Sequence, residues 1–309
     1  MNQQQPRFAA LSDLSITEFL TLGRLGFIPH GLVVGAAIWE ADTRAAGPTV
    51  DLWGALFNNK PFINTMPTGE IVVLSEAVRA ARSLAIERMR QQAAQLHAEG
   101  VVGVHLEVEH HLWRGGHQVV KFIAIGTAVG IDPNGPEELR GAPSIRLANR
   151  MPFTSDLSGQ DFVAILQAGY RPVTVATGTC VYQLNLNDMA RYRGYNAEIA
   201  EYTRAFFDAR ETAMGRLQYD LFTWWPVGHP DCPVGIVGMT VTEEAHRPQL
   251  MGQMWTGRAQ SSAGQVTQGS NSPIVEFTAL GTAIAPLHPN DPRRAKEQVK
   301  PLVVVPLDR

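Results

Sequence analysis

The sequence contains no hydrophobic run long enough to cross a membrane as a helix. Its longest apolar stretch, residues 32–39, is interrupted by Gly35 and falls far short of the roughly 20 residues that span a bilayer. The Gln-rich segment 1–7 has neither the basic start nor the apolar centre of a secretory signal. We therefore expect a cytoplasmic protein that does not act at a membrane.

Cysteine and clustered positive charge are also scarce. Cys180 and Cys232 are the only cysteines and lie far apart, which excludes a disulfide framework and a thiolate zinc site. The net charge is −3 and the basic residues are scattered, so the chain lacks the positive stripe of a nucleic-acid binder. Hydrophobic residues make up 45% of the 309 residues, a composition that supports a folded core.

The chain is an internal duplication, because four blocks of residues recur in the same order. The first copy of these blocks consists of Ser12-Asp13-Leu14-Ser15, Ala81-Arg82, Val102-Gly103 and Gly126-Thr127-Ala128. The second copy consists of Ser155-Asp156-Leu157-Ser158, Ala209-Arg210, Val237-Gly238 and Gly281-Thr282-Ala283. The sequence therefore predicts two repeats, 12–131 and 153–285, with a linker 132–152 between them and a C-terminal extension 286–309.

Each repeat is predicted to contain a short helix, a strand, a long helix and two further strands. Ser15 and Glu18 have the spacing of a capping box at a helix start, and apolar residues recur at helical spacing from Leu74 to Leu96. Apolar and polar residues alternate from Val102 to Glu109, which predicts a strand with one apolar face. Residues 42–69 and 247–273 are predicted loops, and Leu302 to Val305 is a candidate strand for the edge of another sheet.

This pattern resembles the YbjQ-like family, which carries a heavy-metal-binding label. The resemblance rests on Gly35, the stretch Ala81 to Met89, Val101-Val102-Gly103-Val104 and Gly126-Thr127-Ala128-Val129, and repeat 2 matches more loosely. It implies β-α-β-β units of dodecin-subunit-like fold that associate into rings similar to pentamers. The expected fold class is α+β, with two β-α-β-β repeats, each with an added N-terminal helix, in a ring-like homo-oligomer.

The strongest cluster of possible metal ligands lies on the alternating strand. His105, Glu107, Glu109 and His111 project from one strand face, and imidazole with carboxylate suits a divalent metal ion. Neighbours on that face are about 7 Å apart, however, so one strand alone cannot surround an ion. Repeat 2 has Thr240, Thr242, Glu244 and His246 at the equivalent positions. We therefore interpret this face as solvated and predict no metal site, neither here nor at His110, His111 and His117 in the hairpin.

No catalytic or cofactor-binding residue is predicted. Cys180 follows an apolar strand and is interpreted as a buried apolar residue. Trp224-Trp225-Pro226 is interpreted as core or interface packing. Nucleotide-binding loops, the nucleophile elbow and the zinc-protease helix motif are all missing from the sequence.

The sequence and the resemblance together predict a non-enzymatic structural protein that assembles with itself. A three-stranded sheet covered by one helix leaves a face and two edges open, which a neighbouring unit must cover. We expect assembly in multiples of five chains, with a closed hollow shell favoured over a double ring, and the linker 132–152 is long enough to reach a neighbouring ring if extended. Two alternatives remain open: a metal- or small-ligand-binding protein that uses the same oligomer, and an enzyme. The identity of any cargo stays open too.

Overall fold

A computed structural model of the chain describes residues 11–41, 68–112, 118–139, 141–183, 198, 200–246 and 274–295. Residues 42–67 of the predicted loop 42–69, the predicted loop 247–273 and the candidate strand Leu302 to Val305 lie outside the described residues. The loop prediction is wrong for Gly69, which begins the short strand Gly69–Glu70.

The two repeats have the predicted order of elements. Repeat 1 contains α1 (Ile16–Arg24), β1 (Phe27–Ala41), β2 (Gly69–Glu70), α2 (Val72–Gln95), β3 (Gly100–Leu112) and β4 (Gln118–Ile131). A 3-10 helix, Glu137–Leu139, follows. Repeat 2 contains β5 (Phe153–Thr154), α3 (Gly159–Gln167), β6 (Tyr170–Gln183), α4 (Ala200–Trp224), β7 (Gly235–His246) and β8 (Ile274–Pro286). The α+β class is confirmed.

The strands form two four-stranded sheets that exchange short strands between the repeats. One sheet has the order β1-β4-β3-β5 and the other has the order β2-β6-β8-β7. The three long strands of each sheet come from one repeat and are antiparallel. The fourth strand of each sheet, only two residues long, comes from the other repeat. The sequence pattern did not predict this exchange.

Local features confirm that the repeats are structurally equivalent. The capping box of α1 is present, since the Ser15 side chain and the Glu18 side chain each accept a backbone hydrogen bond from the other residue. Ser158 caps α3 by accepting from the Asp161 amide. Gly103 in β3 and Gly238 in β7 both adopt a positive φ, +64° and +65°, at a bulge that shifts the strand register.

Each long helix packs closely across the long strand that precedes it. Residues of α2 and α4 that face the sheets are small or apolar: Ala81, Ala85 and Met89 in one helix and Ala209, Ala213 and Leu217 in the other. A side chain at Gly178 of β6 would overlap the Ala213 carbonyl oxygen, and one at Gly35 of β1 would overlap the Ala85 carbonyl oxygen. Glycine is therefore required where each helix crosses its strand.

The described part of the linker 132–152 is packed rather than extended. Ile145 and Leu147 are buried in the core that also contains Phe162 of α3 and Phe277 of β8. The Ile145 amide donates to Oε2 of Glu99 at 2.8 Å. The expectation that this segment spans neighbouring rings as an extended tether is therefore wrong for these residues, because its apolar side chains lie in the core of its own chain.

We expect Gly178→Ala to destabilise the protein. The new Cβ would overlap the Ala213 carbonyl group and the Cβ atom of Leu217, both in α4. The helix must therefore shift, and the free energy of unfolding should fall by about 1–3 kcal/mol. Chemical denaturation followed by circular dichroism measures this change. Gly215→Ala is the matched control, since Gly215 lies on the same helix with open space around its Cβ position. It should be neutral or stabilising, by up to about 1 kcal/mol, and an equal loss in both variants would contradict the packing account.

Candidate functional site

The two repeats contact each other through backbone pairing, side-chain hydrogen bonds and apolar packing, and this surface is here called the internal interface. On one side, residues 153–157 of repeat 2 run along the edge of β3. The Phe153 and Ser155 amides donate to the carbonyl oxygens of Glu99 and Val101, at 3.2 and 2.9 Å. In return, the Gly103 and Val104 amides donate to the carbonyl oxygens of Leu157 and Ser155, both at 2.9 Å. The bulge at Gly103 turns these two amides toward repeat 2.

On the other side of the internal interface, repeat 1 completes the sheet of repeat 2. Strand β2 pairs antiparallel with the end of β6, with Glu70 opposite Tyr182. The Ile71 amide donates to the Val181 carbonyl oxygen at 2.8 Å, and the Val181 amide donates to the Ser75 hydroxyl at 2.9 Å. Both repeats thus satisfy backbone groups that would otherwise lie unpaired at a sheet edge.

Charged side chains lock the position of β2. The Arg216 guanidinium of α4 forms an ion pair with the Glu70 carboxylate and also donates to the Thr179 carbonyl oxygen at 2.9 Å. Arg82 of α2 is fully buried and donates to the Thr179 hydroxyl. Burial lowers the pKa of Arg82 to about 10, against the opposing effect of the Glu276 charge. The Arg216–Glu70 and Arg82–Thr179 contacts join groups from different repeats, so they hold the repeats in one register.

Aromatic and helix contacts close the top of the internal interface. Phe162 of α3 packs against Phe27 of β1 with the ring centroids 5.3 Å apart, and stacks on Phe153 at 5.4 Å. The Gly159 amide at the start of α3 donates to Oε1 of Glu18 in α1 at 2.9 Å. Burial opposes ionisation of Glu18, but hydrogen bonds from Ser15 and Gly159 outweigh it and lower its pKa. The stabilisation from this carboxylate is therefore lost as the pH falls through its lowered pKa.

The geometry of the internal interface suits association. Strand-edge pairing, buried aromatic rings and a charge pair in register are the components of a specific protein–protein contact.

A comparison of the sequence with known proteins supports a link to assembly. Residues 35–132 match the family described as "Putative heavy-metal-binding" (YbjQ). The chain is also 33% identical over 231 residues to the "Encapsulin nanocompartment protein Rv1762c" of Mycobacterium tuberculosis, covering 74% of this chain and 76% of that protein.

The chain belongs to the family of this encapsulin nanocompartment protein. The YbjQ-like resemblance is thereby confirmed. No solved structure matches the chain.

The strand face of possible metal ligands is exposed in this family member. His105, Glu107 and Glu109 alternate with the less exposed Leu106 and Val108. The His105 Nε2 and Glu107 Oε1 atoms are 4.0 Å apart, and Glu109 forms an ion pair with Lys121 at 3.1 Å. The side chains of His110 and His111, and all of His117, lie outside the described residues. Within the described part of the chain, no three His, Cys, Asp or Glu side chains form a group suited to a metal ion.

The other singled-out residues occupy three different environments. Cys180 is buried, and burial raises the pKa of its thiol to about 12, with the nearby Glu70 charge acting in the same direction. Trp225 packs against the core, whereas Trp224 is one of the most exposed large side chains in repeat 2.

A cleft of about 220 Å³ lies beside Phe27 and Leu139. Its one lining arginine, Arg293, is paired with Asp291 at 2.8 Å.

Sequence reasoning missed the ion pair between Glu70 and Arg216. The two residues are 146 positions apart and belong to different repeats, so no local pattern joins them. A signal was nevertheless present, because Glu70 and Arg216 each have a counterpart of the same type in the other repeat, Glu198 and Arg88.

We expect simultaneous Ala substitution of His105, Glu107, Glu109 and His111 to leave assembly unchanged. The described side chains of this group are exposed and their ion pairs are surface pairs, which contribute about 0–1 kcal/mol each. Light scattering and metal analysis of the purified variant measure the outcome. Loss of both a bound metal and the oligomeric state would favour a ligand-binding protein instead.

We expect Cys180 to remain unreactive toward thiol reagents at pH 8 in the folded protein. Its pKa of about 12 leaves almost no thiolate at that pH, while the partly exposed Cys232 should react first. Folding raises the pKa of the Cys180 thiol. The contribution of this group to the free energy of unfolding should therefore fall as the pH rises from about 9 to about 12. Thiol titration before and after unfolding in urea measures the reactivity of each cysteine. Rapid labelling of Cys180 without urea would contradict the prediction.

Proposed function

We propose that this chain is a self-assembling structural protein whose copies form ring-like homo-oligomers that enclose a hollow compartment. The proposal is supported by the relative named as an encapsulin nanocompartment protein and by a surface that a single chain leaves open. We propose no catalytic role, and a cytoplasmic location in which the chief partner is a further copy of the chain. Among the described residues, no helix is long and apolar enough to cross a membrane.

The observation that carries the proposal is the number of large apolar side chains exposed on both repeats. Ahead of and within repeat 1, most of them lie on the N-terminal segment, α1 and β1: Leu11, Ile16, Phe19, Leu20, Leu32, Val34, Ile38 and Trp39. Three others, Val72, Leu96 and Ile131, lie at the ends of α2 and β4. In repeat 2 they lie on α4, the segment after it and β7: Phe207, Tyr219, Phe222, Trp224, Val227, Val234, Met239 and Val241. In repeat 1, α1 packs against β1, and large apolar side chains exposed on neighbouring elements are typical of a surface that another protein molecule covers.

We further propose assembly in multiples of five chains, with a closed shell favoured over a simple double ring. The number follows from the fivefold rings implied by the YbjQ-like resemblance. Any such arrangement must keep the internal interface, because β2 and β5 tie the two repeats of a chain together. Each chain therefore contributes its two repeats as an adjacent pair. Whole chains cannot fill a ring of five repeats, because five is odd, so a ring of five chains holds ten repeats.

We expect the purified protein to form no stable monomer at micromolar concentration and to assemble in multiples of five chains. Sedimentation velocity and native mass spectrometry measure both properties. A stable species of 33.8 kDa would contradict self-assembly. A dimer, tetramer or hexamer as the sole species would refute the fivefold number, and five-chain rings without larger particles would refute the shell.

A further inference from the structure

We propose that the internal interface is repeated between copies of the chain, so that repeat 1 of one copy docks on repeat 2 of the next. The open tail is the surface of repeat 1 formed by residues 11–14, Phe19 and the outer edge of β1. The open head is the surface of repeat 2 formed by Tyr170, Glu198 and the edge 234–239 of β7. The inference rests on the proposed self-assembly and names the contact that produces it.

The two repeats have the same order of long elements and therefore offer equivalent surfaces. In the internal interface, repeat 1 contributes the edge of β3 together with β2, and repeat 2 contributes its N-terminal segment together with the edge of β6. The repeats contain counterparts of these contributions: β7 for β3, β1 for β6, residues 11–14 for residues 154–157 and, by position in the sequence, Glu198 for Glu70 of β2. One chain therefore uses one half of each repeat and leaves the other half open. The open tail corresponds to the used surface of repeat 2, and the open head corresponds to the used surface of repeat 1.

On the open tail, apolar side chains of repeat 1 are exposed whose counterparts in repeat 2 are buried. Phe19 is 50% exposed, whereas its counterpart Phe162 is 0% exposed within the internal interface. Ile38 of β1 is 64% exposed, whereas its counterpart Val181 of β6 is 1% exposed. The residues are apolar in both repeats, so the difference comes from the cover that repeat 1 gives to repeat 2. The open tail lacks that cover in a single chain.

The same contrast holds on the open head. Val234 is 60% exposed, whereas its counterpart Glu99 is 7% exposed. Glu99 is bonded both to Phe153 of repeat 2 and to the linker residues 144–146. Met239 is exposed and its counterpart Val104 is buried. Gly238 has nearly the same positive φ as Gly103, so the bulge in β7 presents the Gly238 and Met239 amides as the bulge in β3 presents those of Gly103 and Val104. Residues 12–14 of the next copy supply the matching carbonyl oxygens.

Charge and aromatic contacts are complementary across the two open surfaces. Arg88 donates to the Ala36 carbonyl oxygen at 2.5 Å, as Arg216 donates to the equivalent Thr179 carbonyl oxygen at 2.9 Å. In the internal interface Arg216 also binds Glu70, and the counterpart of Glu70 is the exposed Glu198. Glu198 of one copy is thus positioned to pair with Arg88 of the next.

The aromatic contact at the top of the internal interface has its counterpart as well. The edge-to-face pair of Phe162 and Phe27 corresponds to Phe19 and Tyr170. Both of these rings are exposed within a single chain. The open tail and open head are different surfaces, so the contact between copies is heterologous and propagates head to tail until the rotation closes a ring.

Disulfide cross-linking tests this direction. Thr154 lies opposite Val101 in the parallel pairing of β5 with β3, and the counterparts are Leu11 and Ile236. In a Cys232→Ser background, Leu11→Cys with Ile236→Cys on the same chain should give covalent dimers, trimers and larger species after oxidation. A mixture of the two single variants should give covalent dimers only. Dimers from either single variant alone, or no cross-link at all from the double variant, would overturn the proposal.

A charge exchange tests the same contact through assembly strength. Glu198→Arg should raise the dissociation constant between copies by about tenfold or more, because two positive charges then face each other. Adding Arg88→Glu should restore most of the affinity. Glu211→Arg, at an exposed position of α4, is the control with the same charge change and should assemble as the wild type does.

The outcomes separate this proposal from the proposed function. The head-to-tail contact is wrong, while self-assembly stands, if three results coincide. The wild type assembles, Glu198→Arg assembles equally well, and the Leu11→Cys and Ile236→Cys pair forms no cross-link. If the wild type is monomeric under all conditions, the proposed function fails first.

Discussion

Unpaired backbone at the edges of two small sheets is the constraint on which the rest of the structure depends. Each repeat supplies three long strands to its sheet, and each sheet receives a fourth, two-residue strand from the other repeat. A buried amide or carbonyl group without a partner costs about 1–3 kcal/mol. The exchange of β2 and β5 removes that cost at the edge of β6 and at the edge of β3, and it makes the two repeats a single unit.

The exchange also explains why the chain leaves matching surfaces open. Within one chain the two repeats contact each other only once. That contact pairs one outer strand of each sheet, and the outer strand at the opposite edge of each sheet stays open. The open edges are β1 in repeat 1 and β7 in repeat 2, and large apolar side chains accompany both. In the proposed assembly, a further copy would cover these side chains, and this would link the unpaired strand edges to the formation of a compartment.

The sequence was informative where structure depends on short-range pattern. The duplication, the capping box at Ser15, the long helices and the alternation around Glu107 follow from spacing, and the structure has each of them. The exchanged strands were missed because two residues carry no periodicity. The linker was misjudged because Ile145 and Leu147 find their partners in α3 and β8, far away in sequence. The ion pair of Glu70 with Arg216 could be recognised only from the three-dimensional arrangement. The sequence nevertheless contains residues of the same types at the equivalent positions of the other repeat, Glu198 and Arg88.

Electron cryo-microscopy of the assembled particle tests the central claim most directly. The account predicts that residues 11–14 of each copy lie along the β7 edge of its neighbour, with Arg88 and Glu198 in contact across the boundary. Successive repeats around the ring would then be related by nearly the same rotation within a chain and between chains. A map in which the β7 edge faces solvent, or in which two β7 strands meet across a twofold axis, would contradict the account.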